Sequence, residues 1–226
     1  MKNIISICVA LFIVTSIKAQ ESTCFGTTKN GRLENGVALP LSGKNFISYS
    51  RDKKIQERIY VHSLVKKIVV ESYEALSQTK PTKKFKYAET GFKNGGQFEP
   101  HKTHQNGLSI DFMVPVLDKN NESTYFPSDS SNHYGYDVEF DHLGENENYR
   151  IDFESLAAHI VALHEAALDN DIELWRVIFA PVLQSELYQT EYGDYIKKNI
   201  YIPTKKSWVR HDEHFHVDFK IKCKSM

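Results

Sequence analysis

The chain has 226 residues, with 28 lysines and arginines against 29 aspartates and glutamates, and 41% of its residues are hydrophobic. This length suits one ordinary domain, and the composition excludes a disordered or low-complexity chain. The net charge of −1 argues against a nucleic-acid-binding protein, because such proteins usually carry a strong basic excess.

Residues 1–19 predict a secretory signal peptide. The segment starts with a positive charge, continues with an apolar run over residues 4–17, and ends on the small residue Ala19. The run is too short to span a bilayer comfortably, and no later segment of the sequence is long and apolar enough for a membrane helix. We therefore expect residues 20–226 to form a single exported domain with no membrane span, in the periplasm, with secretion as the alternative.

Two cysteines, Cys24 and Cys223, remain after removal of this segment. An even pair in an exported protein predicts one disulfide. The bond would close a loop of roughly 200 residues, which the chain-entropy model values at about 4–5 kcal/mol.

The first half of the chain predicts an extended arm, a helix and two strands. Residues 24–44 are rich in Gly, Asn and Thr and indicate an arm with turns. Apolar residues at helical spacing predict a helix over residues 52–77, which Pro81 would end. Residues 85–89 and 108–116 have the composition of strands.

The second half begins with a polar and aromatic excursion over residues 117–150, in which we expect short strands. A helix follows over residues 153–170, then a buried strand over 173–180, a short helix over 182–188 and a last strand region over 207–221. Helices and strands are interspersed without regular alternation. We therefore predict an α+β fold whose mostly antiparallel central sheet is flanked by two main helices.

Histidines concentrate in two short windows of the sequence, although the chain has 10 in total. In the last strand region, residues two positions apart share a face of the strand. One face would then carry His214, His216 and Asp218, and the other would carry Phe215, Val217 and Phe219 into the core. Imidazole and carboxylate groups on one polar face form half of a zinc site.

The other window supplies the second half of that site. His104 lies in a loop after a glycine pair, and Asp111 follows in a strand, on the same side as Ser109 and away from the core. Two histidines and one carboxylate leave a position for water, as in catalytic zinc sites. The remaining histidines are interpreted as ordinary surface or packed residues: His62, His133, His142, His159 and His164.

The two windows resemble those of the penicillin-insensitive murein endopeptidases, which belong with the lysostaphin-like, D-Ala-D-Ala and hedgehog-type zinc folds. The first family motif, His-x-x-His-Gln-x-Gly-x-x-x-Asp, corresponds to His101 through Asp111, and the second, His-x-x-His-x-His-Val, corresponds to His211 through Val217. The resemblance implies that His104, Asp111 and His216 bind one Zn²⁺, and that His101, His211 and His214 line the site.

The chain departs from the family pattern at two places. Ser109 stands where the family usually has an acidic residue, and Asp218-Phe219 stands where it tends to have Arg-Leu. The zinc-binding residues themselves are intact.

The expected chemistry is hydrolysis by zinc-activated water with a neighbouring general base. His214 is the preferred base because it shares a strand face with His216. Glu213 is the rival, because it stands three residues before His216, the spacing at which the D-Ala-D-Ala dipeptidases place a catalytic glutamate, but an undisturbed strand would turn it away from the metal. His211 and His101 are expected to stabilise the oxyanion or orient the water.

The resemblance implies peptidoglycan as the partner, with cleavage of the cross-linking amide between D-Ala and a diaminopimelate residue. Two alternatives stay open. One is a D,D-carboxypeptidase or D-Ala-D-Ala dipeptidase using the same site, and the other is a hedgehog-type domain that binds zinc and a partner without catalysis.

Overall fold

The computed structural model describes residues 21–205, 207 and 209–226, so the predicted signal peptide lies outside it. The strands, numbered in chain order, are β1 (Thr23–Thr27), β2 (Asn30–Glu34), β3 (Val37–Ala38), β4 (Phe46–Ser48), β5 (Tyr60–Val61), β6 (Phe85–Tyr87), β7 (Ser109–Met113), β8 (Val116–Leu117), β9 (Ser123–Thr124), β10 (Arg150–Ile151), β11 (Glu173–Ile178) and β12 (His214–Lys220). The α-helices are α1 (Lys53–Gln56), α2 (Ser63–Thr79), α3 (Phe153–Asp169), α4 (Gln184–Tyr188) and α5 (Gly193–Asn199), with 3₁₀ turns at Ser130–Gly135 and Pro181–Leu183. Among the described residues, no helix has both the length and the apolarity needed to cross a membrane.

The central sheet has five strands in the order β11-β12-β7-β6-β4. Every neighbouring pair is antiparallel except β4 and β6, which run parallel. The predicted α+β class with a mostly antiparallel sheet is therefore confirmed.

The two long helices, α2 and α3, pack against the same apolar face of this sheet. Tyr73 of α2 and His159 of α3 both contact Phe112 of β7, with ring centroids 6.3 and 4.7 Å apart. Phe215 of β12 stacks on Phe112 at 5.2 Å. Because strand side chains alternate between faces, Asp111, His214 and His216 lie on the opposite face, away from both helices.

The single helix predicted over residues 52–77 is wrong, because the structure interrupts it. α1 ends at Gln56, and β5 then pairs with β3 before α2 begins. The interruption is favoured by tertiary hydrogen bonds, such as the one from the Tyr60 amide to the Gly91 carbonyl, and by the His62 side chain, which caps α2. Periodicity alone does not register these competing contacts.

The other predicted elements are found with shifted bounds. The excursion over residues 117–150 contributes β9 and β10, which flank β8 in a three-stranded sheet, and the turn at Ser130–Gly135. The last strand region narrows to β12, which starts at His214. Sequence analysis missed α5.

The N-terminal arm is tied to the end of the chain. As predicted, Cys24 in β1 forms a disulfide with Cys223, and their Cα atoms are 4.8 Å apart. The amide of Lys224 donates a 2.9 Å hydrogen bond to the Cys24 carbonyl and extends the connection.

Candidate metal centre

The pairing of β7 with β12 brings two predicted ligands together. His216 lies directly opposite Asp111 in the register, and its Nδ1 is 2.8 Å from Asp111 Oδ1. Both side chains are buried. Burial by itself raises the pKa of Asp111, but the surrounding histidines outweigh it and hold that pKa well below its usual range.

His104 reaches the same carboxylate from the loop before β7. Its backbone has φ of +69°, in the left-handed region that residues other than glycine rarely adopt. Its Nδ1 donates a hydrogen bond to the Thr90 carbonyl over 3.1 Å, so in the neutral ring Nε2 carries the lone pair. That Nε2 is fully buried, has no hydrogen-bond partner, and lies 3.4 Å from Asp111 Oδ1. A buried nitrogen without a partner requires an explanation, and a metal ion supplies one.

His101 completes a group that could hold a metal ion. Ligand atoms of His101, His104 and Asp111 all lie within 4.8 Å of one another. The Nε2 of His101 is hydrogen-bonded to one carboxylate oxygen of Glu89, and the other oxygen of Glu89 accepts a hydrogen bond from Arg58. Burial raises the pKa of Glu89, but His101 and Arg58 outweigh it and the net pKa is lowered, so a carboxylate orients His101.

His216 contacts a second carboxylate, Asp218, and the contacts of this carboxylate account for two of the residues that depart from the family motif, Ser109 and Asp218. Its Nε2 is 3.0 Å from Asp218 Oδ1. Asp218 in turn accepts hydrogen bonds from Ser109 Oγ at 2.5 Å and from Arg176 Nε at 2.6 Å. Ser109 and Asp218 face each other in the β7–β12 register. In this chain the acidic residue of the cross-strand pair is therefore Asp218 on β12, whereas the family usually has it at the position of Ser109 on β7. Arg176 of β11 neutralises the Asp218 carboxylate.

Glu213 points into the site, so the expectation that it is turned away is wrong. β12 begins only at His214, and His211 just before it has φ of +59°, so strand alternation does not extend back to Glu213. Glu213 Oε1 accepts a hydrogen bond from His214 Nδ1 over 2.8 Å. The other ring nitrogen of His214, Nε2, faces Asp111 Oδ2 at 3.9 Å.

These contacts determine the direction in which the pKa of His214 is shifted. Burial by itself lowers the pKa of His214, but the carboxylates of Glu213 and Asp111 outweigh it, and the net pKa is raised. A histidine held at Nδ1 by a carboxylate, with Nε2 directed into a cavity, has the arrangement of a general base.

His211 lies beside His214, with ring centroids 4.7 Å apart. Its Nδ1 donates to the Val209 carbonyl over 3.1 Å, and burial lowers its pKa to about 3. His211 is therefore neutral and presents a lone pair at Nε2. It can orient a water molecule, but it has no proton there to give to an oxyanion.

Tyr136 is a site residue that sequence analysis missed. Its hydroxyl donates to Asp111 Oδ2 over 3.1 Å, and its ring lies 5.0 Å from that of His214. Burial, together with the charges of Asp111 and Glu89, raises the pKa of Tyr136 well above its usual value. Glu89, two residues after the end of β6, was also missed. The only sequence signal for Tyr136 was the aromatic content of the excursion.

These groups line one cavity of about 570 Å³. Its walls include predicted residues from both sequence windows and the two missed ones: Glu89, His101, Asp111, Tyr136, His211, Glu213, His214 and His216. His104 lies beneath, fully buried. The structure thus brings all the predicted site residues to one place.

An α+β sheet with imidazole and carboxylate groups converging on a cavity defines a candidate hydrolytic metal centre. The family model of the penicillin-insensitive murein endopeptidases matches residues 24–226. The chain therefore belongs to this family of peptidases, whose substrate is peptidoglycan. No curated protein matches the chain.

Proposed function

We propose that this protein is an exported zinc metallopeptidase that hydrolyses the amide between D-Ala and diaminopimelate in peptidoglycan cross-links. The observation that carries the proposal is the buried, unpartnered Nε2 of His104, directed at Asp111 beside His216. Imidazole nitrogens with one carboxylate are the donor set of catalytic zinc sites.

His104, Asp111 and His216 are the proposed ligands. His216 has its Nε2 engaged by Asp218, so Nδ1 is the atom left for a metal, next to Asp111 Oδ1. Such a carboxylate behind a ligating histidine is a regular feature of zinc sites. His101 is the rival third ligand because it belongs to the group within 4.8 Å, although Glu89 already holds its Nε2.

The residues of the chain supply the rest of the chemistry. Zinc, when bound, would polarise the scissile carbonyl and lower the pKa of water to about 7. Glu213 holds the His214 ring so that Nε2 faces the cavity, where it takes a proton from the attacking water and passes it to the leaving amine. The lone pair of His211 Nε2 orients that water.

Export is supported by the disulfide as well as by the predicted signal peptide. Disulfides persist in oxidising compartments, and Cys24–Cys223 joins the two ends of the described chain. The periplasm is the compartment in which such a protein would meet its substrate.

The test combines metal analysis with digestion of purified peptidoglycan. We expect about one zinc per chain, and loss of cross-linked muropeptide dimers by mass spectrometry. His216→Ala should lose most of its zinc while His101→Ala retains it, since only the former would be a ligand. Full zinc in His216→Ala with loss in His101→Ala would instead identify His101 as the third ligand.

The digestion products separate the remaining alternatives. Trimming of terminal D-Ala with dimers intact would indicate a carboxypeptidase. Zinc binding without release of any peptide would indicate a binding domain and contradict the proposed activity.

A further inference from the structure

Four histidines at the site, His101, His104, His211 and His214, direct their hydrogen-bond donors away from the cavity. Nδ1 of His104 donates to the Thr90 carbonyl, and Nδ1 of His211 donates to the Val209 carbonyl. His101 uses Nε2 on Glu89, and His214 uses Nδ1 on Glu213. A neutral imidazole carries only one N–H, so in the neutral form each ring faces the cavity with a lone pair.

A hydrogen-bond donor in the cavity would add to the polarisation that zinc supplies in amide hydrolysis. Negative charge develops on the carbonyl oxygen as water adds to the carbonyl carbon, and fixed donors aimed at that oxygen stabilise the transition state. His214 cannot serve during this addition, because a general base must be unprotonated at Nε2 when the water attacks. Arg176, which also lines the cavity, is held by the buried carboxylate of Asp218.

The Tyr136 hydroxyl has the required character. It lies 3.1 Å from Asp111 Oδ2, and the Tyr136 ring packs edge-on to His214 and His101, with centroids 5.0 and 5.8 Å away. Tyr136 therefore lines the cavity in contact with both the candidate metal carboxylate and the candidate base. A phenol can donate its proton to an anionic oxygen without carrying a charge itself.

The segment before Tyr136 is built to hold this side chain in place. His133 and Tyr134 have φ of +46° and +57°, a conformation that non-glycine residues rarely adopt. Such backbone strain persists where the surroundings enforce it, and it concentrates at functional sites. Here the surroundings include a capping box on Asp129.

The start of the same segment is anchored from the sheet. Lys86 of β6 donates to the Phe126 carbonyl over 2.5 Å and to Ser128 Oγ over 2.7 Å. Ser128 Oγ in turn donates to the Tyr49 carbonyl over 2.6 Å. A buried lysine is costly unless its ammonium group is hydrogen-bonded, and the groups that satisfy Lys86 belong to this segment. The same hydrogen bonds therefore fix the start of the segment against the sheet.

We propose that Tyr136 is a catalytic residue whose hydroxyl donates a hydrogen bond to the oxyanion of the tetrahedral intermediate. This inference rests on the proposed peptidase function. In the reaction, the water oxygen bonds to the carbonyl carbon and one water proton passes through His214 to the amide nitrogen. The C–N bond then breaks, giving a carboxylic acid and an amine, and the second water proton, now on the acid, passes to the amine so that a carboxylate and a protonated amine leave. Tyr136 keeps its proton throughout and leaves Asp111 for the oxyanion during the addition.

The test compares zinc-loaded wild-type protein with Tyr136→Phe on a purified cross-linked muropeptide dimer. We expect kcat to fall by about 10²–10³-fold, the loss typical of removing one oxyanion donor, with KM changed only a few-fold. Zinc content should equal that of the wild type. Tyr201→Phe is the matched control because Tyr201 is an exposed side chain outside this cavity, and its kcat should be unchanged.

A second measurement uses binding rather than turnover. A phosphinate in place of the scissile amide presents tetrahedral anionic oxygens, and Tyr136→Phe should weaken its binding more than it weakens binding of the uncleaved dimer. Equal weakening of both, or kcat within a few-fold of the wild type, would overturn the proposal. Zinc loss in proportion to activity would assign the hydroxyl to Asp111 and also overturn it. An inactive wild-type protein would refute the proposed function itself.

Discussion

The two faces of the central sheet use buried histidine in opposite ways. On the helix-covered face, His159 lies among the rings of Tyr73, Phe85, Phe112 and Phe215, and neither of its ring nitrogens has a hydrogen-bond partner. On the cavity face, His214 and His216 are equally buried, but each contacts carboxylates.

The difference appears directly in the pKa values. Burial without a compensating charge lowers the pKa of His159 to about 3. Burial acts in the same direction on His216, but Asp218 and Asp111 outweigh it and raise the pKa to about 10. A buried histidine is thus a neutral packing group on the apolar face. On the cavity face the neighbouring carboxylates favour a positive charge at His216, which a metal cation would supply in place of a proton.

The largest effect is expected from the proposed base, His214, on the cavity face. His214→Ala should retain zinc and lose about 10²–10⁴-fold in rate, because the proposed general base is removed. Glu213→Gln should cost less, because an amide can still hold the His214 ring. Turnover of cross-linked muropeptides and zinc content would be measured in both, with His142→Ala as the exposed control.

The order of these two defects is decisive for the assignment. A zinc-replete Glu213→Gln more damaged than His214→Ala would identify Glu213 as the base. Glu213 lines the same cavity, so its carboxylate is also placed where a base could act.

A smaller effect is expected from the carboxylate behind His216. Asp218→Asn should weaken zinc affinity about 10–100-fold, as is typical when the outer partner of a ligating histidine is altered. Competition with a chelator of known affinity would measure the change. Asp194→Asn, at a fully exposed carboxylate, is the matched control. Unchanged affinity in Asp218→Asn would show that Asp218 and Arg176 serve the fold rather than the site.

The smallest effect is expected on the apolar face. The folded pKa of His159, about 3, lies below the ordinary value of 6.5, so between these values the unfolded chain binds more protons and acid reduces stability. Stability from this group is complete above about pH 6.5, and about 2 kcal/mol of it should be lost between pH 7 and pH 5.

His159→Leu, which has a similar volume and no titrating group, should lack this contribution. Urea unfolding of both proteins at pH 7 and pH 5 would measure the difference, since their other titrating groups are shared. Parallel pH dependence in the two proteins would show that His159 is not buried and neutral as described.

The sequence by itself determined the fold class, the alternation of β12 and the disulfide. Phe215, Val217 and Phe219 are buried against the core, as strand alternation requires, because one-sided burial enforces a period of two. The pairing of Cys24 with Cys223 followed because only two cysteines remained beyond the predicted signal peptide. The residues around the candidate metal also came from the sequence, because their spacing matches a family motif.

Only the tertiary structure decided how those residues are held. The bend before β12 turned Glu213 into the cavity, because an alternation rule applies only where a strand exists. Glu89 reaches the site from the segment just after β6, and Tyr136 reaches it from the excursion over residues 117–150. No short-range sequence pattern records contacts between segments so far apart in the chain. Asp218 looked like a departure from the family motif until the β7–β12 register placed it opposite Ser109 and beside Arg176. A buried charge depends on its neighbours in space, and only the folded chain specifies them.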